Sequence, residues 1–504
     1  MTRRDHLIQL LLTAAIVAVL LYRQHLMVLN EDVIWLLVQA GRLLSGGHFG
    51  SDFIEINTPP ALLLYLPAAL LQRVVGLSMA TAHLAVTAAM AGGLIAATAA
   101  VLRPTLAQRG MTILLWPIAQ AIAIAFALQA YHFGQRDCLV ILLLLPFLAL
   151  QAVRDKGERP AVWLQILAGV LAALAIAVKP HYAPVLALLF LLRWVRDGFW
   201  RSLFARDFKA LIFAAIVLAL LSFALFPEWV DMARFAWQFY RPEGRSFGAL
   251  TANLAYERWP IFALLAIALA LWRGLPKTAP LRPLLGCLFL AAPCLLLAYL
   301  LQGRGYAYHL IPFELVVELA TLVAVLSVLT PTRQQTLPAI FVSLGLVALS
   351  LLGVRTVQTS GLMASDMAHT PVVAAIEALD RGHGMVIFDT TNTPAVFATA
   401  LNGTKIAART QNIWLLKGAV ALGATPTGLQ NLEMVEAEIV ADFHRYQPDL
   451  VLVNPALVLA DGKTVLNHLS ANADFAAIWA GYRLAQPSTP AGPRHMVDIY
   501  VRQP

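Results

Sequence analysis

Eleven apolar runs follow one another between residues 7 and 354, at about 7–28, 80–101, 112–128, 138–153, 162–178, 182–194, 210–226, 259–272, 283–301, 312–330 and 337–354. Only a lipid solvent tolerates so much apolar surface, and lipid gives a backbone nothing to hydrogen-bond with. Each run must therefore satisfy its own amide groups as a helix. A perpendicular crossing needs about 20 residues, so the shorter runs are expected to be tilted, broken or partly embedded. With 60% hydrophobic and 13% charged residues among 504, and a mean hydropathy of +0.72, the chain reads as an integral membrane protein with room for one soluble domain. The first run is long, and no small-residue cleavage site precedes Asn30, so it reads as a retained helix with Arg3 and Arg4 on the cytoplasmic side.

The charges between the runs carry the orientation. Segments 103–109, 154–159, 193–209 and 273–282, with Arg333 and the N-terminus, hold 16 Lys/Arg against 5 Asp/Glu. The opposite segments up to residue 354 hold 10 against 11. Positive charge collects on the cytoplasmic side of membrane proteins, so the basic segments read as cytoplasmic. The net charge of +8 then needs no nucleic-acid partner. This one-sided pattern survives only if the apolar stretch 60–75 does not cross; it reads as re-entrant or lying along the outer face, which leaves about 11 crossings. No internal repeat is evident, which speaks against the secondary transporters built from repeated halves. No Walker loop or Rossmann fingerprint occurs, so no nucleotide cofactor is expected. Cys138, Cys287 and Cys294 lie in apolar runs without metal-ligand spacing, and no disulfide framework is expected.

From about Arg355 the texture changes, with 10 Lys/Arg and 12 Asp/Glu and short apolar runs alternating with amphipathic ones. Residues 371–380 read as a helix, Met385–Phe388 as a buried strand, 432–446 as a helix, Leu450–Val453 as a second buried strand and 496–501 as a final strand. The expected architecture is an α-helical polytopic membrane domain over 1–354 with a small C-terminal α/β soluble domain over 355–504. An odd number of crossings puts that domain outside the cytoplasm. Asn402-Gly403-Thr404 matches the glycosylation acceptor pattern, which is common by chance.

The stretch 30–60, NEDVIWLLVQAGRLLSGGHFGSDFIEINTPP, concentrates four carboxylates on the outer side. Glu31 and Asp32 open an amphipathic helix, Gly46-Gly47 turns the chain, and Asp52 and Glu55 lead into Pro59-Pro60. A solvated acidic connector is the plain alternative. The order of an acidic pair, a short helix, Gly-Gly, then Asp52-Phe53-Ile54-Glu55-Ile56-Asn57-Thr58-Pro59-Pro60 resembles the GT-C glycosyltransferases. These polytopic enzymes take a sugar from a polyprenyl-phosphate carrier; the protein O-mannosyltransferases, the lipid A aminoarabinose transferases and the arabinofuranosyltransferases are examples. The resemblance implies a GT-C-like membrane fold, an inverting transferase of the bacterial inner membrane and a carboxylate base in this first outer loop. The family usually reads Asp-Glu where this chain reads Asn30-Glu31-Asp32, so the base is Asp32 with Glu31 as the alternative, and Asp52, Glu55 and Asp137 would shape an acidic pocket.

Transfer requires the acceptor hydroxyl to lose a proton as it attacks the anomeric carbon, and requires cations at the phosphate that leaves. His132-Phe133-Gly134-Gln135-Arg136-Asp137 and Lys179-Pro180-His181-Tyr182 both break apolar runs on the outer side. By family position Asp137 matches an acidic residue, Lys179 is tied to the lipid-linked donor, and Arg136 either pairs with Asp137 or holds phosphate. An Arg-Asp surface pair and a snorkelling lysine are the ordinary readings. In Gln302-Gly303-Arg304-Gly305-Tyr306-Ala307-Tyr308-His309 two glycines flank an arginine that suits phosphate. Tyr308, His309 and His181 are secondary candidates. Glu314 and Glu318 lie one turn apart inside a run, and the outer segment 227–259 adds Arg241, Arg245, Arg258 and several aromatics that suit the headgroup belt. Some members of the superfamily need a divalent cation, for which Asp32, Asp52, Glu55 and Asp137 offer oxygen ligands. A flippase for a lipid-linked sugar would use the same cations without a base, and an anchored polysaccharide-binding protein would need neither.

The charge asymmetry generates a topology test. Asp461→Cys, in a chain freed of its native cysteines, is expected to react with an impermeant thiol reagent in intact spheroplasts; labelling only after lysis would contradict the assignment.

Overall fold

A computed structural model describes residues 3–154, 160–240, 245–329, 336–358, 361–390, 394–423, 425–492 and 495–504. Arg241 and Arg333 lie outside these described residues. Among the described residues seven helices are long and apolar enough to cross a membrane, and up to eight if the bent pair Phe247–Tyr256 and Trp259–Gly274 is one span. The count of about 11 from the sequence exceeds this by the helices Leu115–Leu128, Val162–Val178 and Ala183–Asp197, of 14, 17 and 15 residues. The chain divides into two compact units, one of 1–25, 84–222 and 245–359, the other of 26–83, 223–244 and 360–504.

The first unit is a helical bundle built around Arg136–Arg154. That helix is apolar over most of its length, and every residue from Arg136 to Val153 is buried. It packs against Val162–Val178, Arg282–Gln302 and Ile311–Leu329. By contrast Arg206–Leu225 turns Phe213, Ile216 and Leu220 outward, as a lipid-facing helix does. Its first turn nevertheless approaches Val162–Val178 so closely that a Cβ on Gly169 would lie 2.2 Å from the Asp207 carbonyl oxygen. Glycine is what permits that approach.

Polar groups inside this unit come in interhelical sets. Gln120 donates to Gln9 Oε1 at 3.3 Å and to Thr13 Oγ1 at 2.8 Å, while Ser343 donates to Gln9 Oε1 at 2.9 Å. Such bonds are each worth about 0.6 kcal/mol in a membrane, so they choose neighbours more than they stabilise. The buried Asp207 accepts from Gln151 Nε2 at 2.9 Å and pairs with Arg154 and Arg193. Arg23 reaches the Ala127 carbonyl oxygen at 2.8 Å and caps the end of Leu115–Leu128.

The second unit joins the acidic stretch to the C-terminal α/β part. Helix Glu31–Leu44 begins at Asn30, whose side-chain oxygen accepts from the Asp32 N–H at 3.0 Å. It buries Val33, Ile34, Trp35, Leu36, Leu37 and Ala40. The stretch 60–75 falls into Pro59–Leu63 and Leu66–Val75, of 5 and 10 residues, too short to cross. Exposed Leu70, Val74 and Val75 suit a helix lying on a membrane surface. The segment 227–259 is not a plain loop: Pro227–Tyr240 is helical, and so, in the first unit, is Phe247–Glu257. Gly418 lets Trp414–Ala421 close on Pro227–Tyr240, where a Cβ would lie 2.2 Å from the Phe239 carbonyl oxygen.

The sheet runs in the order β1 (Met385–Phe388), β2 (Leu450–Val453), β4 (His495–Arg502), β3 (Tyr482–Gly492). Strands β1 and β2 pair in parallel, and β4 is antiparallel to both β2 and β3. Strands β1 and β2 are buried along their length, which fits their uniformly apolar sequences. Strand β3 is absent from the sequence reading. Pro487 and Pro490 interrupt it, and the pairing accommodates this outermost strand through three register shifts. Helix 432–446 starts earlier than expected, at Pro426 after the Thr425 cap.

Candidate functional site

The candidate residues fall into two groups, one in each unit. In the second unit Glu31 and Asp32 occupy the first turn of their helix, half-buried, where unsatisfied amide groups favour negative charge. Glu55 is buried and fully engaged: Gln39 Nε2 donates at 3.0 Å, the Asn57 N–H at 2.8 Å and the Asn57 carboxamide also donates. Asp52 accepts from the His48 N–H and the Ser51 hydroxyl, both at 2.8 Å, and pairs with Arg445. Burial opposes its charge, but these donors and Arg445 outweigh it and hold the carboxyl below its usual range. Asp52 and Glu55 therefore spend their oxygens shaping the loop, while Asp32 keeps a position at the helix mouth.

In the first unit Asp137 is fully buried at the start of its helix. Lys179 Nζ lies 2.7 Å from each of its oxygens, and the Tyr182 hydroxyl donates to Oδ1. Pro180 follows Lys179 at the end of Val162–Val178, so the chain leaves the helix there and turns both Lys179 and Tyr182 to one partner. The ammonium also sits 5.4 Å from the Tyr308 ring and 5.9 Å from that of Tyr182. Neither ordinary reading survives: Asp137 is not a surface partner of Arg136, and Lys179 is buried rather than snorkelling. Arg136 and Arg304 are buried nearby, close enough for their charges to act on His309.

Burial, followed by Lys179, Arg136, His181 and Arg304, pushes His309 well below its ordinary value, so its imidazole is neutral at pH 7. Its Nδ1 has no hydrogen-bond partner among the described residues. Burial and Lys179 lower His181 as well. The centre thus combines three basic side chains, the Asp137 carboxyl, imidazoles held toward their neutral form and the stacked rings of Tyr306 and Tyr308, with centroids 5.5 Å apart. It suits a phosphate carried by an apolar or sugar-bearing group.

The close approach that Gly305 permits is taken by Arg245 of the same unit, whose Cδ would lie 2.8 Å from an added Cβ. Glu314 pairs with Arg258 at 3.2 Å, and Gln129 donates to Glu318 at 3.0 Å. Of the four acids offered as metal ligands, Asp137 belongs to the first unit and Asp32, Asp52 and Glu55 to the second. Among the described residues no group of three or more His, Cys, Asp and Glu could hold a metal ion. Sequence reasoning missed Tyr182, although it adjoins Lys179 and His181. It also missed Gln39 and Asn57 under Glu55, Arg409, which pairs with Asp442 and Glu438, and Arg42, which donates to backbone carbonyls that leave no pattern in a sequence.

No family model and no curated protein matches the sequence. Among solved structures, two crystal structures of ArnT from Cupriavidus metallidurans match 97% of this chain and 97% of theirs, each with a TM-score of 0.59. One is bound to undecaprenyl phosphate, at 14% identity, and the other is in the apo state, at 13%. The chain shares the fold of these two structures over almost its whole length. The expected class, a polytopic helical membrane protein with a small C-terminal α/β part, is the class observed. In this chain Glu31 and Asp32 open a capped helix, and Lys179 meets Asp137 with Arg136 and Arg304 buried near His309.

The buried pair yields a stability test. Asp137→Ala strands a buried ammonium and is expected to cost about 3–5 kcal/mol, while Asp137→Leu with Lys179→Met should recover most of that loss. Thermal unfolding in detergent, followed by tryptophan fluorescence, measures both. A double variant no more stable than the single one would mean that charge pairing is not what Asp137 supplies.

Proposed function

We propose that this protein is an inner-membrane glycosyltransferase that moves a sugar from a polyprenyl-phosphate donor to a cell-envelope acceptor on the outer face. The observation that carries the proposal is the buried cluster of Arg136, Lys179 and Arg304 beside Tyr308 and His309, in a chain whose fold matches a structure bound to undecaprenyl phosphate. The acceptor hydroxyl gives its proton to Asp32, or to Glu31, as its oxygen attacks the anomeric carbon. The bond from that carbon to the phosphate oxygen breaks, and a single displacement inverts the centre. Arg136, Lys179 and Arg304 take up the charge that develops on the departing phosphate. His181, Tyr308 and His309 line the donor, with neutral His309 able to hydrogen-bond without adding charge.

Lys179 plays this part while paired with Asp137. The carboxylate fixes the ammonium and offsets its charge, so a phosphate meets a preorganised donor whose release is not prevented by an unshielded lysine. Residues 1–354 form the transferase domain in this proposal, and 355–504 form an extracytoplasmic domain. Sugar stacking or headgroup contact by Trp229, Trp237, Phe239 and Tyr240 remains secondary to this chemistry.

A flippase for the same lipid would need the cations and not the base. Asp32→Asn preserves size but cannot take a proton, and is expected to lower turnover by about 10²–10⁴ while donor affinity changes little. Sugar transfer from a synthetic polyprenyl-phosphate sugar, measured beside donor affinity, tests this, with Glu31→Gln as the paired variant. Loss in Glu31→Gln alone moves the base by one residue. Wild-type rates in both variants, in a preparation that transfers, would remove the carboxylate base from this loop.

A further inference from the structure

The segment between β1 and helix Pro426–Tyr446 passes along the acid-bearing helix as irregular backbone from Ile406 to Gln411, buried at most of its positions. In extended chain alternate carbonyls face one way. The Ile406 and Ala408 carbonyl oxygens accept from Arg42, at 2.5 and 2.9 Å, near the C-terminal end of helix Glu31–Leu44. The same guanidinium donates to the Asp52 carbonyl oxygen at 2.8 Å, so one side chain ties the segment to both the helix and the loop after it.

Further along, the Arg409 carbonyl oxygen accepts from the Ile54 N–H at 2.8 Å, and Arg409 Nη1 donates to the Gly50 carbonyl oxygen at 3.3 Å. At the far end Gln411 Nε2 donates to the Glu31 carbonyl oxygen at 3.1 Å, inside the turn that carries Asp32. The other face of the segment is anchored. The Met385 N–H donates to the Lys405 carbonyl oxygen at 2.9 Å, and the Ala407 N–H donates to that of Met385 at 2.8 Å, which fixes the segment to the edge of β1. Arg409 is fixed to Asp442 by its Nε at 2.6 Å and its backbone N–H at 2.9 Å.

We propose that Ile406–Gln411 is a positioning strap, through which the C-terminal α/β part holds the first turn of helix Glu31–Leu44 and the loop 50–54 in register, with Gln411 as the positioning residue for Asp32. This assigns the C-terminal part a role inside the transfer reaction. It rests on the reading of Asp32 as the base. A general base must stay within hydrogen-bond reach of its proton, and first turns fray, so a donor fixed to a sheet and clipped to that turn removes the freedom that would cost rate.

The test is amide hydrogen exchange on the full-length protein in lipid nanodiscs, comparing wild type, Gln411→Met and Tyr482→Phe. Gln411→Met keeps length and volume without a donor; Tyr482→Phe removes a similar bond, from Tyr482 to the Pro448 carbonyl oxygen at 2.7 Å, away from the strap. Exchange in peptide 29–37 is expected to rise about tenfold in Gln411→Met and not in Tyr482→Phe, with unfolding midpoints alike. Turnover with a synthetic polyprenyl-phosphate sugar should fall in Gln411→Met at unchanged donor KM. Unchanged exchange in 29–37, or a rise spread over the whole protein, overturns the strap. A selective rise with full turnover leaves the strap standing and overturns Asp32 as the base.

Discussion

A charge held away from water must bring its partner with it, and the bidentate contact between Lys179 and Asp137 is where this chain meets that demand most fully. Lipid-facing apolar side chains discriminate poorly between helices, because the tails are as apolar as the neighbours. Buried polar pairs do discriminate. Asp207 with Arg154 and Arg193, Gln9 with Gln120 and Ser343, and Arg23 on the Ala127 carbonyl each name two elements that must adjoin. The Lys179–Asp137 pair does the same where two helices end, and it leaves the neighbouring Arg136, Arg304 and His309 in a setting of low dielectric. Structural constraint and candidate chemistry thus share one cause: buried charges such as Asp137 and Asp207 are partnered across elements.

Much of the fold was legible because lipid simplifies the code. Run boundaries such as 162–178 follow from apolar length alone, and β1 and β2 were readable because buried parallel strands are continuously apolar. What stayed hidden obeys other rules. Strand β3 contradicts its own local preferences with two prolines and is held by β4. The helices at 227–240 and 247–257 look like belt aromatics until their packing is known.

In the candidate site, residue types were legible and partners were not. The sequence grouped Asp137 with Asp52 and Glu55 by sign of charge; the structure gives Asp137 to Lys179, and gives Asp52 and Glu55 to loop-building donors such as Arg445 and Gln39. The glycine after Arg304 likewise read as part of a phosphate site, whereas the space beside Gly305 is filled by Arg245. Charge content survives translation into sequence patterns, whereas pairing across elements distant in the chain does not. Arg42 and Gln411 are the extreme case, since backbone carbonyls accept from them and any residue supplies a carbonyl.

The central claim, that Lys179, Arg136 and Arg304 hold the phosphate of a polyprenyl carrier, is tested most directly by a density map of the protein in nanodiscs with undecaprenyl phosphate. The account requires phosphate density within hydrogen-bond distance of Lys179 Nζ and at least one of the two guanidinium groups, lost in an Arg136→Ala, Arg304→Ala variant that keeps the Lys179–Asp137 pair. Lipid phosphate ordered elsewhere in the wild type, or density at this cluster that survives the double substitution, would contradict it.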